Sequence, residues 1–265
     1  VNGYRIERCA ANECPDFLEI ATSVETAYID RKVSPGNSYT YRVRATDAAE
    51  NFSDYSNQAT ARTGVRIFFA NFDSDDLEKP PNPALPGDPV GDSLTLNTAA
   101  GTILVRPSVG NLDKKPVELN QTGGTGGVDL RGTVAGTPPR IGIYTARWRS
   151  LVASREGGSA AVVLRDSVGR ILASLAYKPN NIFDYNDRQP NGIGIGWERL
   201  IAQDFIITVD LDNKLTTLSV NGKVVLEDRF FDPAAADLAR ISMELGTTGT
   251  QTLAWDDVEI SATVP

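Results

Sequence analysis

The chain has 265 residues, 34 acidic and 26 basic side chains, a formal net charge of −8, and no histidine. Without histidine no Ser-His-Asp triad, Cys-His dyad, His-ligated zinc or imidazole base can be built, which leaves carboxylate chemistry as the main catalytic option. The acidic balance and scattered basic residues argue against an electrostatic grip on nucleic acid or anionic lipid, and no stretch reaches the ~20 apolar residues of a membrane-spanning helix.

The chain opens on Val1, shows no signal peptide, and is read as a processed mature chain or a fragment. Its first segment, residues 1–63, has a β pattern throughout. Tyr4 to Arg8 alternates apolar and charged residues, and Tyr39 to Ala45 does so more cleanly, placing Tyr39, Tyr41, Val43 and Ala45 on one face. Pro35-Gly36-Asn37 is a strong turn signal. Cys9 and Cys14, with four residues between them, fall in a hairpin loop. As metal ligands they are half a zinc site; as a local disulfide they pin the loop and place the protein outside the cytosol.

The run from Val33 to Asp47, with Asn51-Phe52-Ser53 and the closing Ala59 to Thr63, resembles a fibronectin type III domain over residues 3–63. The resemblance puts Tyr39 at that family's tyrosine corner, whose hydroxyl ties back to nearby backbone. It also implies a departure. The chain enters at the family's third strand, so the first two strands are missing and an apolar face and an edge are left open. Completion by strands from another copy is the expectation that follows, with upstream sequence or a misplaced boundary as the alternatives.

The second segment, residues 65–265, begins at Val65 to Phe69 and passes through a Pro-, Gly- and Asp-rich loop over 75–91. Strands are expected at Leu94 to Leu96, Ile103 to Arg106, Val128 to Arg131, Ile141 to Ala153, Ala160 to Arg165 and Arg170 to Tyr177. Further strands are expected at Ile193 to Trp197, Asp204 to Leu211, Lys214 to Val220, Lys223 to Leu226, Arg240 to Leu245 and Thr250 to Ser261. Asn221-Gly222 is the sharpest hairpin signal, and only Pro233 to Ala239 reads as helical, with Asp232 as its N-cap. A large all-β antiparallel sandwich follows. The run Phe205 to Leu211, the strand ending at Asn221-Gly222, and Leu253 to Ile260 resemble the concanavalin A-like and laminin-G-like jelly rolls.

Two sites are expected. Alternation places Asp256 on the face of Val258 and Ile260, where a buried carboxylate needs a partner, and Asp73, Asp75 and Asp257 supply further oxygens. In jelly rolls of this type a structural calcium lies between the first and last strands, so Asp73, Asp75, Asp256 and Asp257 are its candidate ligands. The alternative is that these carboxylates cap turns and accept from backbone N–H groups. The second site is a sugar platform. Tyr177, Phe183, Tyr185 and Trp197 offer rings, Asn180, Asn181, Asp184 and Asn186 offer polar groups, and residues 178–191 read as a surface loop. Tyr177, Asn181, Tyr185 and Trp197 are the candidate ligand-binding residues, against an ordinary long connection. Trp148 reads as core.

Glycosidases of this fold cluster carboxylates as E-x-D-x-(x)-E on one strand, and the adjacent pairs Glu227-Asp228 and Asp256-Asp257 do not fit that pattern. Gly123 to Gly127 lacks the Gly-Lys-Ser/Thr of a phosphate loop. The sequence therefore reads as an extracellular, non-catalytic, all-β protein that assembles with its own copies into a surface fibre or sheath. The alternative is a carbohydrate-binding or adhesion module of a larger secreted protein.

Overall fold

The computed structural model describes residues 1–10, 14–28, 30, 32–34, 36–82, 93–123, 126–178, 181–186, 190–246 and 248–263, with backbone only for 93, 186, 190–194 and 228–230. Pro35, Asn180, Gly124, Thr125 and the later part of the 75–91 loop, which the sequence reading used, lie outside these residues. The chain divides into two compact units, Val1–Val65 and Arg66–Pro265.

The first unit has four strands, β1 (Gly3–Cys9), β2 (Leu18–Ser23), β3 (Ser38–Thr46) and β4 (Ala59–Arg62), in one antiparallel sheet of order β2-β1-β3-β4. The two faces differ because the period-two alternation separates apolar from charged residues. Ile6 stands opposite Val43 and Tyr4 opposite Ala45 on one face. This face is not bare: Asp30 Oδ2 accepts from Arg8 Nη1 at 2.7 Å and from the Tyr41 hydroxyl at 3.1 Å. The Tyr39 hydroxyl accepts from the Ser34 backbone N–H at 2.8 Å, the local tie expected of a corner tyrosine. On the other face Glu7 accepts from Arg42 Nε at 2.7 Å and from the Tyr55 hydroxyl at 2.8 Å. Arg42 lies over Phe17 (4.2 Å) and Tyr55 (3.8 Å), and Arg44 over Phe52 (4.1 Å) and Tyr55 (5.0 Å). The hydroxyls of Ser53 and Ser56 accept from the Ala45 and Val43 N–H groups while their own N–H groups donate to the Ala45 and Val43 carbonyls, so side chains complete half of the ladder along this stretch of β3.

The second unit is a two-sheet antiparallel sandwich with no helix among the described residues. Its strands are β5 (Val65–Ala70), β6 (Ser93–Thr98), β7 (Gly101–Val105), β8 (Val117–Gln121), β9 (Val128–Thr133), β10 (Ile143–Glu156), β11 (Ala160–Arg165) and β12 (Ile171–Tyr177). There follow β13 (Ile182–Asn186), β14 (Pro190–Gly196), β15 (Gln203–Asp210), β16 (Leu215–Val220), β17 (Lys223–Phe230), β18 (Arg240–Leu245) and β19 (Thr250–Thr263). One sheet runs β17-β16-β15-β10-β19-β8-β7, with β5 also on β19; the other runs β14-β13-β12-β11-β18-β9-β6. Asn221 and Gly222 turn the β16–β17 hairpin with φ of 50° and 79°, the left-handed pair that such tight turns require.

The core between the sheets contains Trp148, fully buried as expected, stacked on Phe205 with centroids 5.3 Å apart. Phe205 meets Phe183 edge-on at 5.2 Å, and Phe183 meets Tyr177 at 5.1 Å. A single aromatic run thus bridges both sheets.

Three expectations are corrected here. Pro233 to Ala239 is not helical: Asp232 Oδ1 accepts from the Ala234 N–H in a short turn, after which the chain reaches β18 without a regular element. The reason is burial, since Ala235, Asp237, Leu238 and Ala239 are all buried and Ala239 N–H donates to the Arg165 carbonyl. Ile182–Asn186, expected as part of a surface loop, forms β13, with Phe183 and Tyr185 pointing inward. Val117 to Gln121 was not expected as a strand, although its inward residues Val117, Leu119 and Gln121 alternate without a break.

Candidate functional site

The predicted sugar platform does not face solvent. Tyr177, Tyr185 and Trp197 are 1%, 1% and 8% exposed, and all three tryptophans of the chain are buried. Their polar tips explain why these positions are not phenylalanine. The Tyr177 hydroxyl bonds Ser150 and the Tyr185 hydroxyl donates to Thr216 at 2.7 Å, each reaching from the seven-stranded sheet to the facing one. Trp197 Nε1 donates to the Lys178 carbonyl at 3.2 Å. Burial pushes the Tyr177 hydroxyl up to about 12. Asn181 is exposed and left-handed at φ 62°, turning the chain into β13, where its carbonyl accepts from the Trp197 N–H. Tyr177, Tyr185 and Trp197 are therefore struts of the sandwich, and Asn181 is a turn residue.

The same alternation that buries Tyr185 and Phe183 places Asp184 on the opposite face of the sheet, where it is nonetheless only 8% exposed. Asp184 stands opposite Ala176, Ala176 opposite Ala161, Ala161 opposite Glu244, Glu244 opposite Asp129, and Asp129 opposite Asn97. A parallel row runs through Ser174, Val163, Ser242, Arg131 and Thr95. These rows form the outer face of the seven-stranded sheet. The polar atoms on it are held in place: Arg165 Nη2 donates to Glu244 Oε2 at 3.1 Å, Arg165 Nη1 to Ser242 Oγ at 3.0 Å, and Asn97 Nδ2 to Asp129 Oδ1 at 3.0 Å. Arg131 approaches Asp129 at 3.6 Å. Toward the other edge, Lys178 Nζ lies 3.1 Å from Asp184 Oδ2, while Asp184 Oδ1 is buried without a hydrogen bond. Ala161, Ala176 and Ser174 between the two charged groups leave the middle of the face low. Such a surface offers fixed donors and acceptors to a hydroxyl-rich ligand.

Sequence reasoning missed Arg165, Glu244, Ser242, Asp129 and Arg131. The signal was present as a period of two: charged or polar residues at every second place in the otherwise apolar runs Arg240 to Leu245 and Val128 to Arg131.

The acidic pair on the last strand is arranged differently from expectation. Arg147 pairs with Glu259 and Arg149 with Asp256, so two residues, Asp257 and Val258, face Trp148. Asp257 is the extra residue of a β-bulge, at φ 50°. The bulge breaks the alternation, so Asp256 lies opposite Trp255 in direction and not on the side of Val258 and Ile260. Asp256 is nonetheless 1% exposed. Its Oδ1 accepts from the Asp257 N–H at 2.9 Å and its Oδ2 has no partner. Burial first, then the charges of Asp257 and Asp73, push the Asp256 carboxyl up to about 7, with Arg149 opposing. Asp75 is tied into its own loop, where Oδ2 accepts from the Asn82 N–H at 3.2 Å. Among the described residues no three acidic or cysteine side chains converge to metal-binding distance. What remains of the expected cation site is a buried carboxylate with one open oxygen and Asp73 and Asp257 as its acidic neighbours. Cys9 and Cys14 form a disulfide with Cα atoms 5.8 Å apart, which removes the zinc reading.

No family model matches the chain, and no curated protein does. Solved structures do. A sialidase is similar at 9% identity over 86% of this chain and 21% of that chain, with a TM-score of 0.57. A structure from work on endo-acting O-glycanases, with which human gut microbiota initiate mucin breakdown, matches at 10% identity over 76% of this chain and 100% of that one, with a TM-score of 0.50. The chain thus spans about a fifth of the sialidase's length. At these identities the likeness is one of fold: this chain has an antiparallel jelly-roll β-sandwich.

Proposed function

We propose that the second unit is a non-catalytic glycan-binding module that reads sugar hydroxyls across the outer face of its seven-stranded sheet. The observation that carries the reading is the set of fixed polar side chains on that face, with Arg165 and Glu244 braced over the buried Ser242, Asn97 bonded to Asp129, and Lys178 at the other side paired with the nearly buried Asp184. This reading takes precedence over fibre assembly by strand donation, since Asp30 already meets Arg8 and the Tyr41 hydroxyl on the apolar face of the first unit. The first unit reads as part of a fibronectin type III sandwich, and its disulfide accords with an extracellular setting.

The test is binding of the full chain to a broad panel of polysaccharides, followed by Asp184→Asn and the paired change Arg165→Met with Glu244→Gln. Binding that weakens at least tenfold in both variants, with melting temperatures kept, supports the site. No binding across the panel, or binding that neither variant alters, overturns it.

The acidic pocket carries a second, structural reading, in which Asp256 with Asp73 and Asp257 holds a calcium ion through carboxylate oxygens. Calcium should then raise the melting temperature of the wild type saturably relative to EDTA, and Asp256→Asn should remove the response. Identical wild-type melting in calcium and EDTA would discard it.

A further inference from the structure

Four buried polar atoms without hydrogen bonds lie toward one end of the sandwich interior: Nε and Nη1 of Arg155, Nε2 of Gln121 and Oε1 of Gln251. Their residues form a cross-strand row on the inward side of the eight-stranded sheet, where Arg155 stands opposite Gln251 and Gln251 opposite Gln121. Gln121 and Gln251 are 0% and 1% exposed. The amide orientations follow from their partners: Gln251 Nε2 donates to Gln121 Oε1 at 2.9 Å and to the Ser159 carbonyl at 2.8 Å. That leaves an open acceptor on Gln251 and an open donor on Gln121.

Arg155 donates from Nη2 to the Gly158 carbonyl at 2.7 Å and has no carboxylate partner among the described residues. Burial alone, with no neighbouring charge, lowers its pKa. The hairpin turn closes tightly beside it. A Cβ at Gly158 would lie 2.1 Å from the Thr248 carbonyl oxygen and 3.1 Å from Gln251 Nε2, so only glycine lets the turn approach.

Water alone can answer open donors and acceptors, but it leaves the guanidinium, whose Nε and Nη1 are buried although the residue is partly exposed, without a counter-charge. We propose that this end of the jelly roll binds a small inorganic anion of halide type, which accepts from the open Nη1–H of Arg155. One water then accepts from Gln121 Nε2 and donates both to Gln251 Oε1 and to the anion. One anion and one water thus satisfy three of the four open atoms, and Nε–H, on the guanidinium edge shared with Nη2, takes a second water. The site lies between the sheets and is independent of the outer face assigned to glycan.

The test uses the full chain in sodium chloride, sodium bromide or sodium gluconate at equal ionic strength, and follows melting of the second unit. Halide should raise the transition saturably over gluconate, by roughly 5–10 °C at one hundred times the dissociation constant. Crystals grown in bromide should show an anomalous peak beside Arg155. Arg155→Met should lose both signals, and Gln121→Leu, which keeps the charge, should weaken the halide midpoint several-fold. Equal melting of the wild type in halide and gluconate, with no bromide peak, would mean that water alone fills the row and would overturn the proposal. A halide response retained by Arg155→Met would overturn it too. If Arg155→Met does not fold, the wild-type salt comparison and Gln121→Leu decide.

Discussion

The two units use similar strands and are held together by different forces. In the first, the buried apolar side chains among the described residues are Ile6, Cys9 and Tyr39, and the sheet is braced by charges: Glu7 between Arg42 and Arg44, and Asp30 beneath Arg8 and Tyr41. In the second, two sheets close over a continuous core with Trp148, Phe205, Phe183 and Tyr177 at its centre. A facing sheet makes the difference. Where one is present, packing volume carries stability; where none is present among the described residues, ion pairs, rings over guanidinium groups and a covalent link take its place.

The contrast can be broken first from the packed side. Trp148→Ala removes a fully buried ring from the stack on Phe205 and should cost the second unit about 3–5 kcal/mol, while the first unit's transition stays put. Urea unfolding followed by tryptophan fluorescence reads it, because all three tryptophans are in the second unit. Reducing the Cys9–Cys14 bond should do the reverse, lowering the first unit by about 2 kcal/mol on the loop-closure estimate and leaving the second unit unchanged. Hydrogen exchange resolved along the chain separates the two.

A smaller effect sharpens the comparison inside the core. Tyr185→Phe deletes a hydroxyl that joins the sheets and leaves Thr216 short of a donor, for a cost of about 1–2 kcal/mol, and glycan binding should not change. The smallest is at mild acid. Asp30 and Glu7 are held below their ordinary values of 3.8 and 4.5, despite burial, by hydrogen bonds and charges from Arg8, Tyr41, Lys32, Tyr55 and Arg42. A folded-state pKa below the unfolded one means stability that is present above the unfolded value and lost as pH falls through the folded one. The first unit should therefore weaken progressively below pH 4.5, seen as a falling midpoint in chemical unfolding at stepped pH.

What the sequence showed and hid follows the same physics. Strands with one apolar face and one polar face, such as Phe205 to Asp210, were legible because alternation is a local property. The hairpin signal at Asn221-Gly222 was legible for the same reason. The segment over 178–191 was not, because its density of Asn and Asp reads as loop, although Phe183 and Tyr185 alternate with polar neighbours just as buried strands do. The outer-face site was hidden by a different fact. Arg165, Glu244 and Asp129 come from three strands far apart in the chain, and only the register that brings β11, β18 and β9 together makes them a surface. Pro233 to Ala239 misled because a good helix start says nothing of the neighbours that pull the chain straight.

The bulge on β19 has a consequence for how this sequence can be edited. Leu253 and Trp255 point inward before it and Val258 and Ile260 after it, so Asp257 is a surplus residue between two half-strands already in phase once it is removed. Deleting Asp257 should therefore leave every apolar side chain on its own side of the sheet. Loss of one residue from the middle of a central strand, ordinarily ruinous, becomes here a tolerable change. It would erase the acidic pocket's bent backbone and the N–H that Asp256 accepts from, and spare the fold around it.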